Sequence, residues 1–180
     1  SAEVAWLDDA GAPAAISAVP LLDGDTPCVA LTYDRRDRVP APGATVAFAV
    51  TDSRSLPPGK GGVAAVGPVT VSERTGPLDE DLLDQELRRF PPSRMLADSL
   101  LVRRENWWYL ARIVVRLDRV DRVLPLPARG DAERDALLVR DDGAGLRLDV
   151  AGGDWDRPDV ALRSAAELRG DGGPVLAHGH

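Results

Sequence analysis

Histidine is nearly missing from this chain, and where it occurs is more telling than its rarity. The two histidines, His178 and His180, stand within the last three residues. A Ser-His-Asp or Cys-His apparatus inside the domain is therefore excluded on sequence grounds. So is a histidine-based zinc or haem site, unless the tail supplies it. A terminal His-Gly-His can bind metal weakly, but the expectation is an incidental tail or a strand cut short. Cysteine is scarcer still. Cys28 alone rules out an internal disulfide and fits a reducing cytoplasm, and its apolar surroundings read as core rather than nucleophile. No apolar run approaches a membrane span. No signal peptide is visible, although the chain opens on Ser rather than Met. Lysine is reduced to Lys60, so the other basic residues are arginines, the mark of a GC-rich, actinobacterial type of genome. That bias discounts each arginine as a functional signal. The net charge of −7 argues against a general nucleic-acid binder.

Two phosphate-binding signatures are also lacking. Gly59-Lys60-Gly61-Gly62 looks like half a phosphate loop, but the upstream glycine and the hydroxyl residue after the lysine are missing. No glycine fingerprint of a dinucleotide fold stands between a strand and a helix. The acidic run Asp79 to Asp81 reads as helix N-terminal charge, not as a metal site. Redox or group-transfer chemistry would then have to come from a bound cofactor rather than from side chains.

What is present is mostly strand. At 180 residues the chain can bury a real core, with 44% hydrophobic and 28% charged residues. Val4 to Leu7 and Ala14 to Leu21 read as a hairpin around Asp8-Asp9-Ala10-Gly11. Asp23-Gly24-Asp25 is a second turn. Cys28 to Tyr33 and Thr45 to Thr51 are further strands, joined by a charged, proline-bearing connection or short helix from Arg35 to Pro42. Gly62 to Ser72 is a fifth strand, with Gly67-Pro68 marking a bulge or an edge. Leu82, Leu83, Leu87 and Phe90 share a helical face behind an Asp79 cap, and Pro91-Pro92 ends that helix. Ser93 caps a second helix reaching Glu105. Trp107 to Leu117 is a sixth strand, on which Ile113, Val115 and Leu117 face one way and Arg112, Val114 and Arg116 the other. Pro125 to Asp131 reads as a boundary. Beyond it, strand-like runs fall at Ala136 to Arg140, Leu146 to Val150, Val160 to Leu162 and Val175 to Ala177. The hairpin-like ALLVRDDGAGLRLDV echoes the opening VAWLDDAGAPAAISAV, as a degenerate half-repeat would.

The order of these elements resembles the pyridoxamine 5′-phosphate oxidase-like FMN-binding split barrel, in an actinobacterial branch. AWLDDAGAPAAISAVPLLDGDTPCVALTYDRRDRV looks like its first three strands and the basic stretch after them. GGVAAVGPVTVSE looks like its glycine-bearing strand, and WWYLARIVVRL its last barrel strand. The resemblance implies a mainly β fold with a few helices. Residues 1–124 would form a six-stranded split β-barrel with a helical insertion at about 79–105. A linker at 125–135 and a small β-rich extension at 136–180 would follow. It implies a cytoplasmic homodimer holding FMN, or the deazaflavin F420, as an oxidoreductase of unassigned substrate. Matched onto this chain, the phosphate holders are Thr32, Arg35, Arg36 and Arg38. Read without the resemblance, Asp34 to Arg38 is equally a solvated turn whose charges balance. Period-two geometry lets at most one of the two tryptophans meet a ring, so the resemblance assigns Trp108 and Arg112 to the site. The chain departs from the pattern in lacking the N-terminal helix and in carrying Gly67-Pro68 where a basic residue is common. The rival reading is a non-catalytic barrel that binds a ligand or serves as a structural dimer without flavin.

Overall fold

A computed structural model describes residues 1–74, 80–89, 113–131, 133–157, 160–164 and 173–179. The fold is mainly β, with a principal antiparallel sheet curled into a half-barrel. Its strands are β1 (Ala2–Leu7), β2 (Pro13–Ala18), β3 (Leu21–Asp23), β4 (Thr26–Leu31), β5 (Thr45–Val50), β6 (Gly62–Glu73), β7 (Ile113–Leu117) and β8 (Arg122–Leu126). They run in the order β2-β1-β5-β6-β7-β4-β3, with β8 also pairing β6. A 3-10 turn over Tyr33–Arg38 follows β4, and helix α1 spans Glu80–Arg89.

The curl follows from connectivity. β2 and β3 lie at opposite ends of the strand order, yet only Val19 and Pro20 join them. Three Cα steps of 3.8 Å hold Ala18 and Leu21 within roughly 11 Å of each other. A sheet of seven strands in sequence can satisfy that only by bending its ends together. The concave face then closes on Val4, Trp6, Val29, Leu31, Phe48 and Val115, drawn from both halves of the sheet. Ile113, Val115 and Leu117 do face this core together. Val114 turns to the other side, against Leu21, Cys28 and Leu82.

The single strand expected from Ala14 to Leu21 is broken. Pro20 offers no N–H to a ladder, and the chain crosses there from one end of the sheet to the other. A strand was also missed: β8 pairs Val63 with Pro125 and Ala65 with Val123. Its proline and its exposure gave it the look of a boundary, which is how a sheet-edge strand reads. Among the described residues the principal sheet therefore has eight strands, where six were expected. Between β7 and β8 the chain loops over Gly67, where a Cβ would run into the carbonyl of Arg119. Gly67-Pro68 is thus a point of close backbone approach within β6.

A second sheet contains β9 (Asp135–Asp141), β10 (Leu146–Gly152), β11 (Arg163–Ser164) and β12 (Val175–His178), in the order β11-β10-β9-β12. β9 and β10 form the hairpin expected from the echo of the first. The strand expected at Val160 to Leu162 lies just beyond, at Arg163–Ser164. The tail is not incidental, because β12 pairs with β9 through Val175 to His178. The two sheets share a core. Ala5, Ala47, Ala49 and Ala64 present small side chains on the convex face, and Leu137, Val139, Leu148 and Val150 fill the space above them. This is why β1 and β5 are buried on both faces.

A buried ion pair runs through this sandwich. Arg129, 3% exposed, pairs with the fully buried carboxylate of Glu3 on β1. Its Nε donates to Thr51 Oγ1 at 2.7 Å, and its Nη1 reaches the His178 carbonyl at 3.5 Å. Its backbone exchanges bonds with Thr51 and Ser53. The segment expected as a linker thus carries a buried clamp. Removing one partner strands a buried charge, so Glu3→Ala and Arg129→Ala should each lose about 3–5 kcal/mol in urea unfolding, while Glu3→Leu with Arg129→Met should regain most of it. Gly67→Ala should also destabilise, by about 1–3 kcal/mol in the same assay.

Candidate functional site

The β2–β3 crossing opens one side of a cavity of about 760 Å³. That lies within the usual range for a small-molecule or cofactor site. Ala18, Val19, Ala30, Leu31 and Val50 give it apolar walls. Thr32 and Arg35 come from the start of the 3-10 turn, where the chain leaves β4. Ser1 and Ser55 add hydroxyls, and Glu86 and Arg89 reach in from α1. Arg35 Nη1 donates to the Ser17 carbonyl at 3.3 Å, and Arg89 Nη1 donates to the Pro20 carbonyl. Two guanidinium groups thus meet the chain where β2 leads into the crossing.

Helix α1 is placed by a polar face as well as an apolar one. Leu82 is buried beside Leu21 and Val114. Gln85 accepts from the Leu22 N–H at 2.9 Å and donates to the Leu22 carbonyl at 2.8 Å. These two bonds cap the outer edge of the short end strand β3, a protection that edge strands need. Leu82, Gln85, Glu86 and Arg89 fall at i, i+3, i+4 and i+7, so one helical face docks on β3 and lines the cavity. The apolar count favoured Leu82, Leu83, Leu87 and Phe90 and missed the three polar members of this face; Phe90 and the Asp79 cap lie outside the described residues.

The predicted site residues are not all brought together. Thr32 and Arg35 line the cavity. Arg36 instead pairs with Glu73 at 3.2 Å and borders a second hollow of about 410 Å³, near Trp6 and Asp8. There the Asp8 carboxylate is taken up by the backbone N–H groups of Ala10 and Ala12. Arg38 is exposed at the end of the turn. Trp108 and Arg112 lie outside the described residues, as do Trp107, Tyr109 and the expected Ser93 helix.

Ser17 Oγ meets His178 Nε2 at 2.8 Å. Neither the sequence separation nor the tail position of His178 hinted at this. Ser17 pairs in register with Glu3, and its neighbour Ile16 points into the barrel core. The serine hydroxyl therefore belongs to the face turned toward the second sheet, and the contact sits at the same seam as Arg129. Among the described residues the cavity wall holds no histidine, cysteine or lysine, and no group of three metal-ligating side chains occurs. The wall can bind and orient a ligand, and it offers an anion two arginines. No helix among the described residues is long and apolar enough to cross a membrane.

No family model matches the chain, and no curated protein matches it. The class stated by fold and site alone is a curled half-barrel, backed by a second sheet, with an arginine-bearing cavity at its seam.

Cys28 is core, as expected. Burial pushes its thiol up from 9.0 to about 11, with a further push from the Asp23 carboxylate and partial relief from a backbone bond at Asp23 and from Arg116. The native state then keeps its proton to higher pH than the unfolded chain does. This contribution is complete below about pH 9 and is lost as pH rises toward 11. In urea unfolding between about pH 8 and pH 10.5, the wild type should lose more stability than Cys28→Ala. In the native state, thiol reagents should label Cys28 slowly.

Proposed function

We propose that this chain is a flavin-binding oxidoreductase of the FMN-binding split-barrel type, with FMN or F420 in the seam cavity. The observation that carries the reading is that Thr32 and Arg35 both line an apolar-walled cavity of about 760 Å³. A planar guanidinium and a hydroxyl suit a phosphate, and aliphatic walls suit an uncharged ring system. The residues present fit the group. Thr32 and Arg35 would hold its phosphate end, while Ala18, Ala30, Leu31 and Val50 would exclude water from its ring. The bound cofactor would supply hydride and electron transfer, which the described wall residues do not offer.

The same reading makes the protein a cytoplasmic homodimer. Val50, Val63 and Pro125 align across three strands, and Phe48, Ala65 and Val123 form the next row on the same face. That face continues the barrel core outward, and Val63 and Val123 remain 43% and 60% exposed. A second copy laid there would cover apolar surface beside the cavity mouth. One observation favours a ligand binder without chemistry: Arg35 and Arg89 already hold backbone carbonyls, and the Glu86 carboxylate shares the wall.

Purified protein should be yellow or should take up FMN or F420 with a change in absorbance and a raised melting temperature. Protein that binds neither would leave the non-catalytic reading in place. Val123→Asp should shift the mass in solution from dimer to monomer by light scattering. A monomeric wild type would contradict the dimer.

A further inference from the structure

Arg89 is a second arginine on the cavity wall, for which neither composition nor the order of elements gave a sign. We infer that Arg35 and Arg89 form a two-arginine clamp at the β2–β3 crossing, selective for ligands ending in a phosphate dianion. The inference rests on the seam cavity being the ligand site, but not on the ligand being a flavin.

The two arginines come from independent elements, the 3-10 turn and the last turn of α1. Both line one cavity, and they donate to the carbonyls of Ser17, at the end of β2, and Pro20, in the crossing that follows. At 3.3 Å the Arg35 bond is longer than the usual 2.9–3.0 Å for N–H···O. A phosphate adds a full opposite charge and a bidentate match to the guanidinium fork, neither of which a single backbone carbonyl offers. The carbonyls therefore serve as resting partners that an anion displaces. Holding the arginines there keeps their reach defined, which lowers the ordering needed on binding.

The placement of Arg89 is not accidental to the helix. Gln85, one turn earlier on the same face, is locked to both backbone groups of Leu22, and Leu82 anchors the face below it. That fixes the helix end over the crossing. Glu86 stands on the cavity wall beside Arg89. The two guanidiniums outnumber the one carboxylate among these side chains, so an anion is favoured over a neutral group. A phosphate dianion carries more charge and more acceptor oxygens than a carboxylate, and it can engage both forks at once.

The test uses the full chain and two probes, inorganic pyrophosphate and the pair FMN and riboflavin, in calorimetric titrations at fixed salt. Pyrophosphate should bind the wild type. Arg89→Gln and Arg35→Gln should each weaken it by roughly tenfold or more, the size of a lost charge-assisted hydrogen bond. Arg89→Lys should recover part of the loss, since it restores charge but not the fork. Unchanged melting temperatures would show that the variants fold. If flavins bind, FMN should exceed riboflavin in affinity, and the gap should close in the Arg35→Gln, Arg89→Gln double variant. Pyrophosphate binding with Arg89 dependence but without flavin uptake would retain the clamp and remove the flavin. FMN binding that Arg89→Gln leaves unchanged would overturn the clamp and retain the flavin. Binding of neither probe would overturn both.

Discussion

The buried pair between Glu3 and Arg129 is the constraint on which the rest of the structure depends. Glu3 lies on the strand that starts the half-barrel, and Arg129 follows the strand that ends it. The same guanidinium reaches the end of β5 through Thr51 and the end of β12 through the His178 carbonyl. Both charges are removed from water, so each is tolerable only because the other is present. Such a pair adds little net stability beside an apolar replacement. It ties β1 to the chain leaving β8 within the principal sheet. The Arg129 contact to the His178 carbonyl and the Ser17–His178 bond then hold β12 in one register against it.

That register reaches the cavity. Fixing β1 fixes its hairpin partner β2, and β2 ends at the crossing that the cavity is built around. The crossing must be short for the sheet to close. Arg35 takes the Ser17 carbonyl on the strand that leads into it, and Arg89 takes the Pro20 carbonyl within it. The side chains that line the seam are thus placed by the same economy of chain that bends the sheet. The edge of β3 would otherwise offer Leu22 to solvent or to another chain; Gln85 covers it, and in doing so carries Arg89 to the cavity.

Much of the strand content was legible because it obeys simple periodicity. The hairpins at Asp8 to Ala12 and Asp141 to Gly145, the buried TVAFAV strand and the inward set Ile113, Val115 and Leu117 announce themselves by alternation and turn residues. What escaped reading was non-local. Pro20 and Pro125 look alike in sequence, yet one breaks a strand and the other sits within an edge strand, because only pairing decides. Arg129 looked like a boundary residue since its partner is distant in sequence. In a chain whose basic residues are nearly all arginine, residue type could not separate Arg35, on the cavity, from Arg36, paired with Glu73 on the other side of the turn. The polar face of α1 was hidden because amphipathic reading counts apolar residues, and beside Leu82 this helix docks by an amide and a guanidinium.

The central claim is that the seam between β2 and β4, with Thr32 and Arg35 at its end, is where the ligand binds. Amide hydrogen exchange measured with and without saturating FMN tests it most directly. The account predicts slower exchange confined to residues 17–22, 30–35 and 85–89. Protection centred on Trp6, Asp8 and the Arg36–Glu73 hollow, or none at all with flavin bound, would contradict it.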